Sequence, residues 1–132
     1  MNLVVDTSVI ISVIANEKHK TQLIEKTKEA TLIAPSSLHW EIGNAFSAMF
    51  KRNRITLKQA IAGLYYYHQI PLRFYDVDLK STLEVANKLN IYAYDAYFIV
   101  CASSLNAALL SLDESLLANA KKIGVKIEKV KL

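Results

Sequence analysis

The feature that most constrains the fold of this chain is the alternation of short apolar runs with longer segments of helical character. Strand-like runs occupy residues 3–5, 31–34, 72–75, 108–112 and 126–130. Helical spacing or capping patterns mark the segments between them, at residues 9–14, 20–30, 38–49, 56–69, 78–89, 94–105 and 114–123. Strands that alternate with helices predict an α/β fold, with a mainly parallel central sheet of about five short strands flanked by helices.

The length and composition of the chain fit one compact domain, residues 1–132. Of the 132 residues, 52% are hydrophobic and 21% are charged, which is typical of a globular protein with a sizeable core. The one cysteine, Cys101, lies in an apolar run and is predicted to be a buried thiol. With neither a signal-peptide pattern nor an apolar run that could span a membrane, we expect a cytoplasmic protein.

The charge of the chain permits nucleic acid as a partner without establishing it. The net charge is +4 and the pI is about 9.1. Two basic groups carry much of the excess, residues 51–54 and the tail lysines 121, 122, 126, 129 and 131. The first group also suits the C-terminal end of a helix, and the second suits a solvated edge strand. Charge alone therefore leaves the question open.

The most informative side chains are four isolated acids. Asp6, Glu41 and Asp95 are each the only charged residue in a long neutral segment, namely residues 1–16, 30–50 and 89–112. Asp6 and Asp113 each follow an apolar strand, so their carboxylates meet at one edge of the sheet if those strands are parallel neighbours. Helical spacing places Glu41 and Asp95 beside apolar side chains rather than in open water.

Carboxylates in such places need compensation, since burying one without a partner is costly and clustered ones repel each other. The same neutral segments contain no Lys or Arg. All-oxygen ligands suit a divalent cation such as Mg²⁺, with Mn²⁺ as a possible substitute. A zinc site is disfavoured because the three histidines have no paired spacing and there is one cysteine.

The acids also have structural interpretations. Asp6, Asp95 and Asp113 can each cap the helix that follows, and we interpret Asp76 and Asp78 as turn and cap residues. Glu41 is the hardest to explain in this way, because an acid inside a helix beside an apolar stripe caps nothing.

In their order, these segments resemble the motifs of PIN domains. Val4-Val5-Asp6-Thr7-Ser8 is similar to the first motif, Glu41 to the second acid, Tyr94-Asp95-Ala96 to the third motif, and residues 110–116 to the fourth. The spacing and length resemble VapC-type toxins of toxin–antitoxin pairs, and the resemblance spans essentially the whole chain. Many relatives have Thr where Ser111 or Leu112 stands. Some add a further acid shortly after the fourth acid. Here that acid is absent or replaced by Glu114, which leaves a second metal position open.

The resemblance implies a PIN-like fold and a Mg²⁺-dependent endoribonuclease that leaves a 5′-phosphate and a 3′-hydroxyl. Asp6 and Asp95 would then be direct metal ligands, and Asp113 and Glu41 would complete the site. Thr7 and Ser8 either start the first helix or also contact phosphate or water.

The resemblance also implies partners, an RNA substrate and a VapB-type antitoxin. An Arg or Lys of the antitoxin would reach the acids, and residues 65–67 and 40–46 are candidate surfaces for its apolar side chains. A core or dimer contact explains the same residues equally well, so we also expect a homodimer. Two alternatives stay open, an RNA-maturation nuclease without antitoxin and a non-catalytic RNA- or protein-binding module. A receiver-like phosphoacceptor domain is disfavoured because Asp6 has no acidic neighbour. The RNA that is cut is not predicted.

Overall fold

The protein, a computed structural model that describes residues 1–15 and 17–130, is built on a parallel sheet of strand order β3-β2-β1-β4-β5. Lys131 of the basic tail lies outside the described residues. The strands are β1 (Asn2–Val5), β2 (Thr31–Pro35), β3 (Leu72–Tyr75), β4 (Ala108–Leu110) and β5 (Ile127–Glu128). The helices are α1 (Thr7–Ile14), α2 (Lys20–Thr27), α3 (Leu38–Lys51), α4 (Leu57–Gln69), α5 (Leu79–Leu89), α6 (Ala93–Ser104) and α7 (Glu114–Lys122). The predicted α/β fold is confirmed.

The centre of the sheet explains why its strands are apolar throughout rather than alternating. β1 pairs in parallel with both β2 and β4, and its residues Leu3, Val4 and Val5 are buried. Helices cover both faces of such a sheet, so a central strand needs an apolar side chain at every position. Leu109 and Leu110 of β4 are buried beside β1 for the same reason.

Several predicted helix boundaries are confirmed by their caps. Thr56 accepts a hydrogen bond from the backbone N–H of Gln59 and begins α4 with a capping box. Asp78 accepts one from the N–H of Ser81 and begins α5. Gly124 follows α7 with φ of +84°, a conformation that favours glycine. The local rules of helix termination therefore operate as predicted here.

Other boundaries differ from the predictions. The second helix ends at Thr27, not at residue 30. The fourth strand ends at Leu110, not at residue 112. The fifth strand contains two residues and lies at the edge of the sheet, with a neighbour on one side only. Ser111 therefore lies in the turn beyond β4. In the described part of the chain, no helix is long and apolar enough to cross a membrane.

Candidate metal centre

Asp6 lies at the carboxyl end of the central strand and is almost fully buried, with 6% of its surface exposed. Its Oδ1 accepts hydrogen bonds from Ser8 Oγ at 2.6 Å and from the backbone N–H of Val9 at 3.2 Å. Its Oδ2 accepts one from Ser111 Oγ at 2.6 Å. Asp6 is thus the cap of α1, as one interpretation predicted. It is also hydrogen-bonded to Ser111, which directly follows the neighbouring strand β4. Burial raises its pKa, as does the Asp113 carboxylate, while these hydrogen bonds oppose the rise.

Two serines link Asp6 to the turn between β4 and α7. Ser8 Oγ accepts a hydrogen bond from the N–H of Leu112 at 3.1 Å, and Ser111 Oγ accepts one from the N–H of Asp113 at 2.9 Å. The Ser8 hydroxyl, considered for phosphate or water, therefore already donates to Asp6 and accepts from Leu112. The role of Ser111 was missed in the sequence, where a hydroxyl side chain between two leucines before Asp113 was the available signal.

Asp113 follows β4 and is exposed at the same edge of the sheet. It accepts hydrogen bonds from the N–H groups of Ser115 and Leu116, at 2.9 Å and 3.1 Å, and so caps α7. The adjacency of Asp6 and Asp113 follows from the parallel pairing of β1 with β4, in which Val5 lies opposite Leu110. The condition under which the two carboxylates were expected to meet, that these strands are parallel neighbours, is therefore met.

Glu41 lies in the first turn of α3, which corrects its predicted place inside a helix, because α3 begins at Leu38. A helix N-terminus favours a carboxylate, but Glu41 is partly buried and its Oε2 has no hydrogen-bond partner among the described residues. Its Oε1 is 3.5 Å from the hydroxyl of Thr7. Burial raises the pKa of Glu41 to about 7, and repulsion from Asp6 and Asp95 adds to the effect, with nearby hydroxyls opposing it.

Asp95 lies in the first turn of α6, where the cap position is occupied by Tyr92, so the interpretation of Asp95 as a cap is wrong. The side chain is half-buried. Burial raises the pKa of Asp95, and repulsion from Asp113 raises it further.

For three of the four acids, repulsion from a neighbouring carboxylate adds to the effect of burial on the pKa. Asp6 is affected by Asp113, Glu41 by Asp6 and Asp95, and Asp95 by Asp113. Of the ion pairs in residues 1–15 and 17–130, Lys26–Glu128 and Lys28–Glu25, neither includes one of them. Within those same ranges, no three acidic, His or Cys side chains are grouped closely enough to hold a metal ion. The sharing of one metal by these acids therefore stays a prediction.

The chemistry of these side chains fits a hard divalent cation. All four offer carboxylate oxygens, which Mg²⁺ prefers. In the described chain Glu41 Oε2 lacks a hydrogen bond, and Asp6 Oδ2 accepts one hydroxyl, which leaves it a lone pair. A cation would satisfy these oxygens and would offset both the burial and the repulsion that raise the three pKa values.

The chain is thus an α/β domain in which Asp6 and Asp113 follow two neighbouring strands of a parallel sheet. A comparison with known protein families matches residues 3–122 to the PIN domain. The chain belongs to the PIN domain family.

Solved structures with the same fold cover almost the whole chain. PAE2754 from Pyrobaculum aerophilum is 23% identical with a TM-score of 0.74, over 98% of this chain and 84% of that one. VapBC2 from Rickettsia felis, bound to a DNA fragment from its promoter, is 17% identical with a TM-score of 0.72, over 99% and 100%. VapC20 from Mycobacterium tuberculosis, a toxin that cleaves the sarcin–ricin loop, is 13% identical with a TM-score of 0.62, over 88% and 93%. A comparison with curated proteins gives no significant match.

Proposed function

We propose that this chain is a Mg²⁺-dependent endoribonuclease that hydrolyses RNA phosphodiester bonds and leaves a 5′-phosphate and a 3′-hydroxyl. The observation that carries the proposal is that Asp6, Glu41 and Asp95 are buried or partly buried carboxylates, which together with Asp113 take part in no ion pair of the described chain. Membership of the PIN family supports it.

Within this proposal the four acids have different roles. Asp6, which has a lone pair left on Oδ2, and Asp95 would bind the cation directly. Glu41 and Asp113 would hold and orient the attacking water, and Thr7 would contact the RNA phosphate. When bound, Mg²⁺ lowers the pKa of the attacking water and neutralises charge on the phosphate, and Mn²⁺ would substitute for it.

Cleavage of RNA by the purified protein tests this proposal. We expect cleavage in Mg²⁺, none with EDTA, and a loss of about a hundredfold or more in Asp6→Asn and Asp95→Asn. Glu84→Gln removes an exposed acid on α5 and serves as the matched control with wild-type activity. Wild-type cleavage by Asp6→Asn, or unchanged cleavage in EDTA, contradicts the assignment.

The biological role that we propose is that of the toxin in a VapBC-type pair, acting in the cytoplasm as a two-fold homodimer. Likeness in fold to VapBC2 and VapC20 supports it. An unrestrained ribonuclease would damage its host, so a VapB-type antitoxin would hold it inactive, with an Arg or Lys directed at the acids. Exposed Leu79 and Leu83 on α5 offer an apolar surface for the second copy.

A groove beside α1 is the surface that we propose for apolar side chains of the antitoxin. A cavity of about 610 Å³ is lined by Val13, Ile14, Tyr66, Gln69, Lys20, Ile70 and Pro71. A second cavity, of about 300 Å³, shares Val13, Ile70 and Pro71 with it, so the two form one surface. Tyr66 belongs to the 65–67 segment that the sequence indicated for this contact.

Expression with and without the neighbouring gene tests the toxin role. We expect growth arrest by the chain alone, relief by the neighbour, and a co-purifying complex that Tyr66→Asp weakens while Leu57→Asp, at an exposed site on α4, does not. A chain that cleaves RNA yet is harmless, with no binding neighbour, would instead be an RNA-maturation nuclease. A chain that binds RNA without cutting it would be the binding module.

A further inference from the structure

Five ring side chains form a surface cluster where the start of α3, the end of α4 and β3 meet. We call this cluster, His39, Trp40, Tyr67, His68 and Phe74, the aromatic platform. His39 is central, with ring centroids 5.0 Å from Trp40, 5.8 Å from Tyr67, 6.3 Å from His68 and 6.4 Å from Phe74. Such separations are typical of interacting aromatic rings, so the five belong to one assembly.

One ring of the platform is buried in the core, and two others are exposed to solvent. Tyr67 is buried in the core with 4% exposed, and its hydroxyl lies 3.2 Å from Nδ1 of His39. Trp40 and Phe74, by contrast, are 73% and 48% exposed. The rings are therefore held in position before any ligand arrives, which reduces the entropy lost on binding.

The composition of the platform favours a planar, hydrogen-bonding ligand over an aliphatic one. Its members are aromatic or imidazole rings, with polar edges on both histidines. The exposed aliphatic side chains of α4, Leu57 and Ile61, lie towards the start of that helix, whereas the platform residues Tyr67 and His68 lie at its end. Stacking on exposed rings is how proteins hold unpaired nucleic-acid bases without reading their sequence.

The aromatic platform and Glu41 share the first turn of α3. Trp40 immediately precedes Glu41, so their Cα atoms are about 3.8 Å apart in the first turn of α3. We propose that the aromatic platform stacks an unpaired base of the RNA next to the bond that is cut. This inference rests on the proposed function and adds a binding subsite to it.

The chain contains its own probe, because Trp40 is its single tryptophan. The experiment titrates the cleavage-deficient Asp6→Asn protein with a short single-stranded RNA in Mg²⁺ and follows tryptophan fluorescence. We expect a saturable quench. An oligomer of the same length with the bases removed keeps its phosphates, so it should quench far less if stacking is the cause.

A variant series measures how much the stacking contributes. In the Asp6→Asn background, Trp40→Ala should bind labelled RNA about tenfold more weakly or worse, while Trp40→Phe should keep most of the affinity. Leu57→Ala is the matched control, since Leu57 is 66% exposed at the opposite end of α4 from Tyr67. Circular dichroism establishes that each variant is folded.

Failure of this inference is distinguishable from failure of the proposed function. Wild-type cleavage of RNA together with unchanged Trp40 fluorescence, or undiminished RNA binding by Trp40→Ala, overturns the platform alone. So does a fluorescence change that depends on protein concentration without RNA, because a second copy then covers the rings. Absence of both cleavage by the wild type and binding by Asp6→Asn overturns the proposed function itself.

Discussion

The four acids form two pairs that differ in the hydrogen bonds their carboxylates accept. Asp6 and Asp113, the strand-end acids, follow β1 and β4 and together accept five hydrogen bonds. Glu41 and Asp95, the helix-turn acids, lie in the first turns of α3 and α6, and within the described chain Glu41 Oε2 accepts no hydrogen bond. The carboxylates of the first pair are fixed by hydrogen bonds within the fold, whereas those of the second pair accept few.

This difference distinguishes acids that have a structural role of their own from acids that do not. Each strand-end acid caps a helix and would be useful in a protein with no metal at all. Burial raises the pKa of Glu41 and of Asp95, as it does that of Asp6, but Asp6 accepts three hydrogen bonds in return and Glu41 Oε2 accepts none in the described chain. The helix-turn acids are therefore the stronger argument for a bound cation.

The largest expected effect is the difference in the free energy of unfolding between an alanine variant of a strand-end acid and one of a helix-turn acid. Asp6→Ala removes three hydrogen bonds and leaves Ser8, Ser111 and the N–H of Val9 without their acceptor, so we expect a loss of about 2–3 kcal/mol in the free energy of unfolding. Asp95→Ala should stay within about 0.5 kcal/mol of the wild type. Urea denaturation in EDTA measures both. Equal losses in the two variants would break the comparison.

The next effect is the pH dependence that Glu41 introduces. Its folded pKa of about 7 lies above its ordinary value of 4.5, so the folded state binds a proton more tightly and stability falls as pH rises between these values. In metal-free buffer at pH 8, Glu41→Gln should be more stable than the wild type by about 1–2 kcal/mol, a range that allows for solvent screening.

Below pH 4.5 that advantage should vanish, because Glu41 is then protonated in both the folded and the unfolded states. Urea denaturation at several pH values measures the difference between the two proteins. An advantage that is the same at pH 4 and pH 8 would show that Glu41 is not destabilised as a carboxylate.

The smallest effect concerns the serine that connects the strand-end acids. Ser111→Ala leaves Asp6 Oδ2 without its hydroxyl and the N–H of Asp113 without its acceptor, at a cost of about 1 kcal/mol. Affinity for Mn²⁺ should fall about 10- to 100-fold, as for other residues that orient a ligand. Ser111→Thr keeps the hydroxyl and should restore both, while Ser104→Ala, at an exposed position, is the control. Unchanged affinity in Ser111→Ala would remove this residue from the account.

The strand-end half of the site was largely predictable from the sequence. Apolar runs before Asp6 and Asp113, together with the alternation of strands and helices, indicate parallel strands with both acids at their carboxyl ends. What the sequence could not reveal is the hydrogen bond between Ser111 and Asp6, whose residues are 105 positions apart. Contacts of that kind depend on the exact register of β1 with β4, which the apolar pattern leaves undefined.

The helices of the helix-turn half were predicted well, since their expected starts at residues 38 and 94 agree with the observed starts at Leu38 and Ala93 to within one residue. The isolation of Glu41 in a neutral segment indicated a functional acid, but it was interpreted as lying inside the helix, whereas it lies in the first turn. The interpretation of Asp95 as a cap was wrong because α6 begins after Tyr92, whose side chain makes no capping hydrogen bond. A helix start without a side-chain cap has a weak local signal, so a nearby Asp is easily taken for the cap.

Binding of Mn²⁺ to the free protein tests the central claim most directly, because it needs neither RNA nor cleavage. Electron paramagnetic resonance of Mn²⁺, titrated with the protein at pH 8, counts bound ions. The account predicts about one Mn²⁺ per chain for the wild type and for the exposed-acid control Glu84→Gln, displaced by excess Mg²⁺ and lost in Asp6→Asn and in Asp95→Asn. No binding by the wild type, or equal binding by either Asn variant, would contradict the claim that these carboxylates form a cation site.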